Sequence, residues 1–286
     1  VGPAHEHVQL FALGDIALAT AGDAADESGL KYVLSAVLPV LCANRYAPSV
    51  AAAMFAVLLQ YRLLATAVWQ GLIDYLKTLL PSNEEIGKAF RKEVPMYPEL
   101  AIRELVANAI IHQDFGLSGT GPMIELFDNR LEITNPGVPL VDTQRFLDSP
   151  PQSRNEALAS FMRRINVCEE RGSGVDKVIS QVEVYQLPAP IFEKTERHTR
   201  VVLFTYKDFK DMESEDRIRA CYQHCCLKYV NRAPMNNTSL RERFRIDEGN
   251  SEMASRVIKQ AVEAKLIRLY DPNANRKAYR YVPYWA

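Results

Sequence analysis

PELAIRELVANAIIHQD, residues 98–114, reads as one helix, and its side-chain chemistry decides what must surround it. At about 100° per residue, Glu104, Asn108 and His112 stand four apart and form a single polar stripe. Beside it, Ile102, Leu105, Val106, Ala109 and Ile110 take the positions of a core-facing stripe. A carboxylate, an amide and an imidazole flush against a buried face form either the solvated edge of an ordinary amphipathic helix or the wall of a site. In a site, the amide oxygen of Asn108 can hold Mg²⁺ while the metal bridges phosphates. The carboxylate of Glu104, one turn away, can then orient and deprotonate a water.

Three segments follow in order. In IELFDNRLEITNPGVP, residues 124–139, the β-prone runs 124–127 and 131–134 flank Asp128-Asn129-Arg130 and read as a hairpin whose second strand ends in Asn135-Pro136-Gly137. Arg154-Asn155 then precedes the run 157–165. Last comes EERGSGVD, residues 169–176, leading into a helix expected over 175–185. A Gly-Ser-Gly element before a helix offers backbone N–H groups to phosphates. Taken alone, it is more often a tight turn than a phosphate site.

The ordered set resembles the nucleotide-binding domain of the gyrase, heat-shock chaperone, histidine kinase and MutL (GHKL) ATPases. The resemblance covers about residues 95–206 and lies with the divergent branch found in bacterial and archaeal proteins labelled transcriptional regulators or RecG-like helicases. It implies a two-layer α/β (α+β) sandwich of the GHKL type with ATP and Mg²⁺ as ligands. It also implies Asn108 on the metal, Glu104 as general base where catalysis occurs, and nucleotide contacts from His112, Asn135, Gly137, Arg154, Asn155, Gly172 and Gly174. The family carries Asp where this chain has Asn135. An amide oxygen still accepts from the adenine amino group, but the charged acceptor is lost and the NH₂ mismatches the neighbouring ring nitrogen. No G-x-x-x-x-G-K-[ST] loop is present, so nothing resembles a helicase motor.

At 286 residues the chain is long enough for two or three compact units. The reading divides it into an N-terminal region (1–66), the ATPase-like unit (67–210, opened by an amphipathic helix at 69–80) and a C-terminal unit (211–286). In relatives such an ATPase-like domain follows a Schlafen-type AlbA-like domain, whose tail residues 48–56 faintly resemble, so the first region is expected to be a mainly helical remnant of one. Residues 50–67 are the nearest approach to a membrane span, yet Gln60, Tyr61 and Arg62 interrupt them and buried packing is the better reading. No membrane partner or secretory leader is expected. Five scattered cysteines fit a reduced, cytoplasmic setting. Cys221, His224, Cys225 and Cys226 lack a second ligand pair at metal spacing and read as core thiols beside a semi-exposed histidine.

Net charge is -1 overall but unevenly divided. From Arg217 onward there are 14 Lys and Arg against 6 Asp and Glu, while residues 1–216 hold 20 against 29. Such asymmetry points the C-terminal unit at a polyanion. Helices expected at 217–230, 238–244 and 251–264, then strands at 266–270 and 278–282 around the turn 271–275, describe a winged helix. A cap at Asn250 or Ser251 starts the third helix, which turns Val257, Ile258, Ala261 and Val262 inward and leaves Ser255, Arg256, Lys259 and Gln260 outward for a major groove. Arg276, Lys277 and Arg280 fall on the wing, suited to phosphates. A winged helix can equally dock proteins or dimerise.

The expected function is a DNA-binding transcriptional regulator, homo-oligomeric, whose nucleotide-binding fold senses or stabilises with weak or absent turnover. The alternatives are a working Mg²⁺-dependent ATPase acting on DNA and an interaction scaffold that has lost both ligands.

Overall fold

The computed structural model describes residues 9–12, 62–80, 82–86, 91–168, 174–275 and 278–286. Within them the expected hairpin closes on Asp128 and Asn129 alone. Strand β4 (Met123–Phe127) returns as β5 (Arg130–Pro136) with Phe127 opposite Arg130, so Arg130 belongs to the strand rather than the turn. β5 is the central strand of a five-stranded antiparallel sheet ordered β1, β4, β5, β7, β6, completed by β6 (Ile191–Lys194), β7 (His198–Phe204) and β1 (Gln9–Ala12) at the far edge. A strand from the first twelve residues thus joins the sheet, which the division at residue 66 does not anticipate.

Alternation along β5 separates two faces. Leu131 and Ile133, opposite Leu203 and Val201, enter the core. Glu132 turns the other way and holds Arg130 at 2.6 Å and Arg200 at 3.5 Å. The core face is covered by four helices: α1 (Arg62–Leu79), α2 (Glu99–His112), α3 (Glu156–Arg164) and α4 (Gly174–Val184). Trp69, Leu72, Ile73 and Leu76 give α1 its buried stripe at i, i+3, i+4 and i+7. A second hairpin, β2 (Ser82–Ile86) with β3 (Arg91–Pro95), links α1 to α2. This is a mixed α+β fold, one antiparallel sheet under one layer of helices.

The C-terminal residues fold as α5 (Ser214–Val230), α6 (Asn237–Phe244) and α7 (Ser251–Glu263), then a hairpin of β8 (Ile267–Leu269) with β9 (Tyr281–Pro283), extended by a bridge from Met235 to Tyr281. Asn236 caps α6 and Ser239 reciprocates, a capping box that satisfies two otherwise orphaned donors. Two details differ from expectation. Asn250 holds the cap position of α7 but its side chain makes no capping bond. Val262 is 39% exposed, its place in the inward stripe taken by Ala254.

The cysteines Cys221, Cys225 and Cys226 are core, fully buried, and their thiols are pushed up by burial. His224 is 3% exposed rather than half in water. Its Nδ1 meets the Glu183 carboxylate at 3.0 Å and its Nε2 meets the Ser239 hydroxyl at 3.2 Å. No group of His, Cys, Asp and Glu suited to a metal occurs among the described residues. Nor, among them, is any helix long and apolar enough to cross a membrane, although most of residues 50–67 lie outside that set.

Candidate functional site

The polar stripe of α2 opens into a cavity of about 210 Å³ between the helices and the sheet. Glu104, Asn108 and His112 line it from α2, Asn135 from the end of β5, Arg154 from the loop before α3, and Gly174 from the start of α4. Six of the residues singled out from sequence therefore converge from four separate segments.

Each is held by local chemistry. Asn108 donates its amide NH₂ to Glu104 Oε1 at 3.4 Å, so its carbonyl oxygen is the atom left to accept or to ligate. Burial pushes the Glu104 carboxyl above the usual carboxylate range, against the pull of the Lys177 ammonium and the Asn108 bond. Burial and the nearby Arg154 guanidinium push His112 down, which favours the neutral imidazole. Gly174 lets the first turn of α4 press against Glu104: a methyl group there would overlap the carboxylate, 2.7 Å from its carboxyl carbon. Asn135, 6% exposed, donates its NH₂ to the carbonyl of Pro136 at 3.2 Å. One of the two amide hydrogens is thus committed to the chain itself. The oxygen remains as an acceptor.

Other predicted contacts have structural work. Asn155 donates to the carbonyls of Ile111 and Gln113, both at 2.8 Å, and Arg154 to those of His112 (3.1 Å) and Val138 (2.6 Å). Three of these four bonds end on the carbonyls of Ile111, His112 and Gln113, where α2 stops and its carbonyls lack helical partners. Gly137 is not part of the cavity lining. With φ +102 it passes beneath Asp114 and Arg154, where a Cβ would come within 3.0 Å of Asp114 Cβ and 3.2 Å of Arg154 Nε. Gly172 lies outside the described residues.

The cavity also has apolar walls that the motif reading missed: Phe146, Phe192 and Val201, with Thr199 among them. Phe146 and Phe192 meet edge to face at 5.3 Å. Strand alternation was the available signal for Phe192 and Val201. Cys168 lines the cavity too, its thiol pushed up by burial and by the Glu104 charge.

Glu183, His224 and Ser239 are bonded in the order of a nucleophile, its base and an orienting acid. They do not form a hydrolytic site. The Ser239 hydroxyl donates to the Asn236 carbonyl at 3.1 Å and accepts from its N–H at 3.2 Å as part of the cap, and none of the three lines the cavity.

On the C-terminal surface, Arg256, Lys259 and Ser255 are exposed on α7, as is Arg280 before β9. The Ser255 hydroxyl accepts from Asn237 at 2.9 Å, and Lys259 lies 3.7 Å from Glu263. Gln260 is half-buried and donates to Ser214 at 3.3 Å instead of facing outward. Arg276 and Lys277 lie outside the described residues.

Residues 119–203 match the family described as "Putative ATP-dependent DNA helicase recG C-terminal". The match takes in β4, β5, β6 and all but the last residue of β7, with the Arg154-Asn155 loop, α3 and α4, and it begins after α2. No curated protein matches the chain. A solved structure, the DIP2311 protein from Corynebacterium diphtheriae, is 19% identical over 76% of this chain, with a TM-score of 0.44. This chain spans 45% of that protein's length.

Proposed function

We propose that this protein is a DNA-binding transcriptional regulator whose ATPase-like cavity binds a nucleotide with Mg²⁺ and turns it over weakly or not at all. The observation that carries the nucleotide half is the convergence of Glu104, Asn108, His112, Asn135, Arg154 and Gly174 on one cavity. The donor set suits the group. A magnesium ion favours hard oxygen donors, one of which the amide oxygen of Asn108 supplies, and bound Mg²⁺ would neutralise phosphate charge. The free oxygen of Asn135 is an acceptor for an exocyclic amino group. Match to an ATPase-like family supports the same reading.

The DNA half rests on the positive excess after Arg217, on the order of three helices and a hairpin read as a winged helix, and on the exposed Arg256 and Lys259. A working ATPase is the second reading. It is favoured by the position of Glu104, a carboxyl raised by burial beside the candidate metal ligand, which is how a general base is poised.

The test is a thermal-shift titration of the whole chain with ATP, with and without Mg²⁺. Mg²⁺-ATP should raise the Tm and Asn108→Ala should remove most of the gain. Glu104→Gln should keep binding and abolish any phosphate release. Asn135→Asp should tighten binding of adenine over guanine nucleotides. An unchanged Tm at millimolar Mg²⁺-ATP sinks both readings.

A further inference from the structure

Residues 140–153 cross the cavity between β5 and α3 with no regular structure beyond one short turn at Thr143–Arg145, where Asp142 accepts from the Gln144 N–H at 2.9 Å. One side of this strap is cavity wall, through Leu140, Val141, Phe146 and the run from Ser149 to Ser153. Its other side belongs to the C-terminal unit. The Tyr222 hydroxyl of α5 donates to the Gln144 carbonyl at 2.6 Å and accepts from the indole N–H of Trp285 at 3.2 Å. The Arg145 guanidinium lies 5.3 Å from the centre of the Trp285 ring, and Leu147 is buried in the core that α5, α6 and α7 build. Alternate residues of one segment therefore face two different units.

Helix α4 repeats the arrangement on a rigid element. Gly174 and Val175 line the cavity at its start, while near its end Glu183 receives His224 from α5 and, at 3.6 Å, Arg243 from α6. Between these ends Val178 and Val182 sit in the sandwich core and Ile179 in the C-terminal core.

We propose that strap 140–153 couples the cavity to the C-terminal unit, so that a nucleotide bound in the cavity fixes the strap against Tyr222 and Trp285 and thereby changes how firmly the C-terminal unit is held. This rests on the reading that the cavity takes a nucleotide. The docked strap supplies part of the cavity wall, so a ligand touching that wall would bind the docked arrangement better than one in which the strap has left Tyr222. A ligand shifts a conformational equilibrium by that difference. Linkage makes the effect reciprocal: loosening the dock at Tyr222 must weaken the ligand. Pro150 and Pro151 restrict the backbone after the dock, so a displacement at Leu147 is passed along rather than absorbed.

The chain holds two tryptophans, Trp69 and Trp285, and Trp69→Phe leaves the reporter under Arg145 alone. In that full-length background Mg²⁺-ATP binding is followed by calorimetry and by Trp285 emission. Binding should be accompanied by a saturable emission change with the same Kd. Tyr222→Phe should raise that Kd about three- to tenfold, the effect of losing one net hydrogen bond, and remove most of the emission change. Arg145→Ala, at an exposed position, should act in the same direction more weakly and serves if Tyr222→Phe does not fold. Calorimetric binding with a silent Trp285 and an unchanged Kd in both variants overturns the coupling and leaves the nucleotide reading intact. No heat and no Tm gain with Mg²⁺-ATP overturns the nucleotide reading and the coupling with it.

Discussion

The cavity and the outer face of α7 were both anticipated as sites from polar residues at helical spacing, and they differ in what their side chains have left to offer. Around the cavity, structural needs are met by one set of atoms and a second set stays available: the NH₂ groups of Asn108 and Asn135 each make a bond within the chain, while their oxygens make none among the described residues. On α7 the polar residues are partly consumed by neighbours, Ser255 by Asn237 and Gln260 by Ser214, and the exposed remainder is the pair Arg256 and Lys259. A side chain with an atom to spare beside an enclosed space is a better mark of a binding site than a polar residue on an outward face.

That contrast can be broken from either side. The largest effect is expected at Gly137→Ala, where a positive φ and a 3.0 Å approach to Asp114 combine strain with overlap. A loss of about 2–4 kcal/mol should appear as a lower denaturant midpoint, and a neutral result would mean that the backbone beneath Asp114 and Arg154 yields to the added methyl group. Next, Asn155→Ala removes both bonds to the end of α2 and should cost about 1–3 kcal/mol, with faster amide exchange in the last turn of α2 than elsewhere in the sandwich.

Asp176, in the first turn of α4, sharpens the comparison by pH. Burial raises its carboxyl to about 6, and among the described residues its Oδ1 has no hydrogen-bond partner. The folded group takes up its proton near pH 6 and the unfolded one near 3.8, so the native state binds the extra proton between these values. This group's contribution to stability therefore rises as pH falls from about 7 to about 4, opposite to a salt-bridged carboxylate. Asp176→Asn should flatten that rise and stabilise the protein at pH 7 by about 1–2 kcal/mol, allowing for the solvent that still reaches it. Denaturation midpoints at pH 4.5 and 7 decide it.

The smallest effects belong to the α7 face. In the full chain, Arg256→Ala should weaken duplex DNA binding about five- to tenfold and flatten its salt dependence, whereas Gln260→Ala should change it less than about twofold. Equal effects would mean that Gln260 leaves Ser214 to reach the DNA. No salt-dependent binding at all would make the C-terminal unit a protein-docking module.

Much of this was legible in the chain because it is local. The periodicity of 98–114, the hairpin around Asp128-Asn129 and the helix order after residue 214 depend on near neighbours, and all stand within a few residues of expectation. What was illegible depends on partners distant in sequence. His224 looks half-exposed until Glu183, 41 residues away, is packed against it. Arg154 and Asn155 are expected from sequence as ligand contacts, and nothing near them in the chain shows that they also bond the end of α2, 42 to 44 residues back. The placement of Gly137 outside the cavity lining has the same origin: its positive φ is a local property, but Asp114 and Arg154 above it are not.

Leu147, Ile179 and Ala189 belong by sequence to the sandwich but are buried among the side chains of the C-terminal helices. Neither part can therefore lose its packing without exposing apolar surface of the other. The expected thermodynamic consequence is a single cooperative unfolding transition, with calorimetric and van't Hoff enthalpies in agreement, in place of two independent meltings. The slowest-exchanging amides of α5 should then carry the same opening free energy as those of α2. A C-terminal piece starting at residue 212 would lose Leu147, Ile179 and Ala189 from its core, so expression of that piece alone is expected to give an aggregation-prone chain.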